Sequence, residues 1–189
     1  MNRPVPPSCP ASHRRGFWRD WRGVAAIEFA IILPILSLIL VASIDFGLVL
    51  YVRFGLNETV SASANYVLVN AANVSASSGP TLASNLAAIM PTNVNAVVVV
   101  NNGPTVTRTN GVTSSSGTAS NANSCYCPSV SGTVVTWGGA VACSASCGSG
   151  TLAGKFVSLN ASVSHSPLFG SYGLVQNGMV STFSMVQVQ

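Results

Sequence analysis

Charge is what this sequence has least of: only 6% of its 189 residues are Asp, Glu, Lys or Arg, where an ordinary soluble domain carries roughly a quarter. Beyond Glu58 there is no carboxylate side chain, and Arg108 and Lys155 are the only charged ones. Disorder of the highly charged kind is excluded by a 48% hydrophobic composition. Carboxylate pairs for general acid–base work are missing from the long C-terminal part, which holds a single histidine, His165. A Ser-His-acid triad would have to borrow Glu58, and neither a G-x-S-x-G turn nor a phosphate-cradling glycine loop is present. No catalytic residue and no cofactor is therefore assigned, and the chain reads as a non-enzyme.

The formal net charge of +4 has one address. Arg3, Arg14, Arg15, Arg19 and Arg22 stand against Asp20, whereas from Gly23 onward Arg53, Arg108 and Lys155 are balanced by Glu28, Asp45 and Glu58. Residues 29–44, FAIILPILSLILVASI, then run without charge, and the apolar character resumes after Asp45 to about Val52. A hydrocarbon core of about 30 Å takes about 20 helical residues, so one transmembrane helix is the minimal reading. Arginines crowd its N-terminal flank, which places that end in the cytoplasm and exports everything after about Arg53. The basic excess is thus a signal of topology and not a nucleic-acid footprint. A cleaved secretory signal has the same layout, with Val41-Ala42-Ser43 resembling its small-residue cut site. The length of the apolar region, Glu28 at its start and its continuation as LVLYV speak against that.

Glu28 and Asp45 lie seventeen residues apart, about 25 Å along a helix, so each belongs near one edge of the apolar slab. Ionisable groups in such a segment are costly and usually have a partner. Pro34 is expected to kink or loosen the helix, and the small residues Ala26, Ala30, Ser43 and Gly47 permit close approach of another helix. Asp45-Phe46-Gly47 lacks every other element of a kinase.

The junction Arg22-Gly23-Val24-Ala25-Ala26-Ile27-Glu28-Phe29 is more specific than its parts. It resembles the prepilin peptidase site of type IV pilin-like proteins, in the G-x-x-x-x-E-[FY] form of the Flp and Tad (tight adherence) branch. The longer run GVAAIEFAIILPILSLILVASIDFGLVLYV is similar to the signature of the TadE-like family, with its EFA start, its proline and its acidic-Phe-Gly; the resemblance covers residues 23 to about 72. It implies a minor pseudopilin, cleaved between Gly23 and Val24 with Glu28 and Phe29 as recognition residues, and assembled through Glu28, Pro34 and Asp45. Implied partners are the membrane, the prepilin peptidase, Flp-type major pilin, other minor pseudopilins and the assembly platform. The implied location is a bacterial inner membrane, crossed once, with the C-terminal domain periplasmic or pilus-associated, and the implied role is pilus assembly, adhesion and surface colonisation. An uncleaved signal anchor is the plainer reading of the junction. A membrane-anchored extracytoplasmic binding module outside any filament is the alternative function.

The expected fold is α+β and pilin-like: a leader (1–23), a transmembrane helix (24–53), a helical extension (54–78), then an exported domain (79–189) with a small antiparallel sheet. LASNLAAIM at 82–90 predicts a helix stopped by Pro91. Strands are predicted at 94–100, 105–109, 130–137, 155–164 and 179–188, and the Ser/Thr/Gly/Asn-rich stretch 111–124 reads as a mobile loop. Cys9 lies in the leader, and Cys125, Cys127, Cys143 and Cys147 in the exported part. Joining Cys125 to Cys127 closes a very tight ring, so two disulfides would each link one of these to Cys143 or Cys147. Such staples close loops of about 18 residues, worth about 3 kcal/mol each. Zinc is the competing reading of C-x-C…C-x-x-x-C, disfavoured in an oxidising compartment without a histidine nearby, and no metal is assigned.

Overall fold

The structure, a computed structural model, describes residues 24–148, 150–170 and 173–189. The chain divides into two compact units, Met1–Val41 and Ala42–Gln189. The described part of the first unit is helical, and every residue of 24–41 is exposed. It belongs to helix α1 (Val24–Val69), which contains Pro34. Proline removes the amide that would bond four residues back; one turn on, the Ser37 hydroxyl donates to the Pro34 carbonyl at 2.8 Å.

In the second unit α1 acquires an inner side. Asp45, Val49, Leu56, Val60, Ser63 and Val67 are buried and Val52 packs partly against them, a spacing of three and four residues that keeps them on one stripe. Asn70 closes the helix by donating from Nδ2 to the Tyr66 carbonyl at 2.9 Å, and a 3-10 turn (Ala71–Asn73) follows. The expected extension through 78 is therefore shorter, because the helix stops at Val69. Helix α2 (Gly79–Ile89) has a proline in its first turn, where the missing amide costs nothing.

Five strands form an antiparallel sheet: β1 (Asn95–Val100), β2 (Thr105–Thr109), β3 (Val112–Ser116), β6 (Phe156–Ser164) and β7 (Met179–Gln187), in the order β3-β2-β1-β6-β7. Register aligns the apolar positions. Val98 lies opposite Val106 and Leu159, Val100 opposite Val157, and Val163 opposite Val180. That inner face joins the stripe of α1 and Leu82, Ala83, Leu86 and Ala87 of α2 in one core. Each fully buried aliphatic side chain there stabilises by roughly 1.5–3 kcal/mol.

Two strand expectations need correction. Residues 111–124 hold strand β3 and a 3-10 turn at Ala119–Asn123, so the low-complexity stretch is not an irregular loop. Asn110 and Gly111 take φ of 51° and 81°, the two positive values of a type I′ hairpin turn that pins β3 to β2. The single strand expected at 130–137 is a short hairpin, β4 (Ser129–Ser131) and β5 (Val134–Thr136), folded at Gly132 with φ 62°. Beside it, disulfides join Cys125 to Cys143 and Cys127 to Cys147, with Cα–Cα distances of 5.1 and 5.7 Å. Tyr126 and Trp137 meet edge to face at 5.9 Å. The fold is α+β: a long apolar N-terminal helix and a disulfide-bonded antiparallel sheet domain.

Candidate functional site

Gly23 lies outside the described residues, so of the expected cleavage site the structure places Val24, Glu28 and Phe29, all in the opening turns of α1. Helix formation through VAAIEFA follows from good helix formers with no glycine between Val24 and Asp45. Glu28 is exposed, as are Val24 (52%) and Phe29 (61%). Pro34 is exposed too. A carboxylate on an otherwise uncharged, uncovered apolar helix is expensive in lipid until it meets a partner. α1 is apolar enough to cross a membrane, and its most apolar 18-residue window contains no buried residue.

Asp45 is placed differently. It is 5% exposed, and its carboxylate accepts from the segment between β6 and β7: Leu168 N–H donates to its two oxygens at 3.1 and 3.0 Å, and Phe169 N–H donates to Oδ2 at 3.2 Å. The sequence put Asp45 beside Glu28 and Pro34 as an assembly residue; the structure gives it an intrachain attachment across more than 120 residues of sequence. Charge-assisted bonds to backbone amides are among the stronger ones and satisfy an otherwise costly buried carboxylate.

Three polar residues escaped the sequence reading. Arg108, 6% exposed, sits on the inner face of β2 opposite Ala96. Its Nε donates to the Val94 carbonyl at 3.2 Å and Nη1 to Ala87 at 2.8 Å, while Nη2 donates to Met90 at 3.0 Å and Pro91 at 2.6 Å. The guanidinium thus closes the C-terminal end of α2, where free carbonyls and the helix dipole favour a cation. Asn101 is wholly buried; its Nδ2 donates to Ala122 and Ser124 at 3.1 and 2.6 Å, and its Oδ1 accepts from Phe156 N–H at 3.1 Å. Lys155 Nζ donates to the Val74 carbonyl at 3.2 Å. Standing alone in a stretch nearly free of charge was the one signal that could have marked Arg108 and Lys155.

Cys125, Cys127, Cys143 and Cys147, paired as disulfides, offer no thiolate to a metal. Among the described residues no three His, Cys, Asp or Glu side chains gather as a metal site. What the geometry presents is a bare apolar helix bearing one exposed carboxylate, followed by a helix stripe clothed by its own domain. No curated protein and no solved structure matches the chain. The family model described as TadE-like protein matches residues 23–65; that stretch begins at Gly23 and carries Glu28, Phe29, Pro34 and Asp45, and over it this chain is similar to TadE-like proteins.

Proposed function

We propose that the protein is a minor pseudopilin of a Tad/Flp-type pilus, made as a precursor, cut after Gly23 by a prepilin peptidase and assembled through the exposed start of α1. The carrying observation is the coincidence of the TadE-like match, which starts at residue 23, with a helix whose first eighteen described residues are all exposed. The leader's arginines hold the N-terminus in the cytoplasm, and cleavage removes them, creating an α-amino group on Val24. Glu28, at the fifth mature position, is the natural counter-ion for such an amine on a neighbouring subunit, so its charge is neutralised only on docking. Pro34 loosens the helix one and a half turns later.

Burial on α1 also supports a shorter span than the sequence suggested. Core packing begins at Asp45 and Val49, which leaves 24–44 for the bilayer, about 31 Å of helix. On this reading the rest of the chain is exported, and its disulfides suit an oxidising compartment. Flp-type pilin, other minor subunits and the assembly platform are the partners, and the role is structural.

Glu28→Ala tests the assignment. With the variant present in the membrane at wild-type level and its disulfides intact, pilus assembly is expected to fall at least tenfold, scored by electron microscopy and sheared-pilus immunoblots. Unchanged piliation would instead favour an anchored binding module outside the filament.

A further inference from the structure

Residues 165–178, between β6 and β7, contain no Asp, Glu, Lys or Arg. Two of their apolar side chains point outward: Leu168 is 78% exposed and Phe169 48%. Connecting segments on a water-facing surface are normally polar, so an exposed Leu-Phe pair needs a reason. Their backbones are not free to move, because both amides donate to the Asp45 carboxylate at 3.0–3.2 Å. Asp45 is the first buried residue of α1. Immediately before it the helix is apolar and exposed, with Ile44 at 56%, and Phe46 (40%) and Leu48 (52%) continue that character beside it. A charged side chain thus ties an uncharged, apolar-tipped segment to the level at which the bare helix ends.

We infer that Leu168 and Phe169 seat in the outer boundary of the phospholipid bilayer crossed by α1, giving the exported domain a second membrane contact. The inference rests on the proposed span at 24–44. The occupant follows from continuity: the apolar surface of the tip adjoins that of the helix, and lipid that covers Ile44 reaches the residues bonded to Asp45. Asp45 acts as a positioning residue, fixing the depth of the tip through backbone bonds that do not depend on the side chains at 168 and 169. Seated this way, the tip restrains how the exported domain turns about its anchor.

The test uses the full chain with Trp18, Trp21 and Trp137 changed to Phe, in phosphatidylcholine vesicles with or without acyl-chain bromine. Separate variants carry one Trp each: Leu168→Trp, Phe169→Trp, Leu38→Trp within the span, and Val134→Trp on β5. A side chain held about 5–10 Å into the boundary should lose on the order of half its emission to brominated lipid. Loss at 168, 169 and 38 but not at 134 is expected, and adding Asp45→Ala should relieve it at 168 while leaving 38 unchanged. Quenching at 38 without quenching at 168 or 169 overturns the tip contact and leaves the span standing. No quenching at 38 overturns both. Emission at 168 that follows protein concentration and ignores bromine would assign the tip to a second copy and likewise overturn the lipid contact.

Discussion

Arg108 carries a positive charge into the core with four backbone carbonyls around it. Its guanidinium can serve them because its donors are arranged in a planar fork; an ammonium offers a single point of charge. Arg108→Ala is expected to destabilise the sheet domain by about 3–5 kcal/mol, since it strands buried acceptors and empties the space of the stem. Arg108→Lys should lose less, and both can be read from urea unfolding of the full chain in detergent. The arginine was conspicuous in the sequence and its partners were not, because carbonyls belong to every residue and only the fold decides which ones converge. Asp45 repeats the lesson: its place at the edge of the apolar run was legible, whereas its acceptance of amides from Leu168 and Phe169 required the sheet to bring that segment back.

Within the second unit helix α1 has an inner and an outer side, and two of its leucines measure the contrast. Leu56 is 3% exposed and Leu68 is 53% exposed. Leu56→Ala is expected to cost about 2–5 kcal/mol of domain stability, and Leu68→Ala no more than about 0.5 kcal/mol, in the same unfolding experiment. Amphipathic spacing on α1 was hidden in the sequence because the outer side is apolar as well: Phe46, Leu48, Tyr51 and Phe54 stay exposed. β1, β2, β6 and β7 were legible within about two residues, since β-branched alternation bounded by turn residues is a strong local signal. β3 was not, because VTSSS has almost nothing to bury and is exposed at every position. Its identity comes from the Asn110-Gly111 turn and from pairing with β2, and of those two only the turn is written locally. The Gly132 turn that divides 129–136 into β4 and β5 was overlooked for the opposite reason, the β-branched run Thr133-Val134-Val135-Thr136 that directly follows it.

Across the whole molecule the small number of charges is used twice. Five arginines stand in the first twenty-two residues, where on the proposed reading they set topology. Beyond Glu58 both remaining charges turn onto the chain's own carbonyls, Arg108 at the end of α2 and Lys155 at Val74. The surface of the sheet domain is left largely to Ser, Thr and Asn with little net field, a condition under which like subunits pack without charge repulsion. Fold class and the long apolar N-terminal helix were legible because each rests on composition or on a long run. The pairing of Cys125 with Cys143 and of Cys127 with Cys147 was open to the sequence, since spacing alone allowed either crossing. The proposed proteolytic maturation at Gly23 is where the proposed topology, the TadE-like segment and the proposed assembly role of Glu28 converge. Intact-mass spectrometry of the membrane form, from cells that contain the peptidase, tests it most directly. The expected mass is that of a chain running from Val24 to Gln189 with two disulfides; a mass corresponding to a start at Met1, or to a start at Ile44, would contradict it.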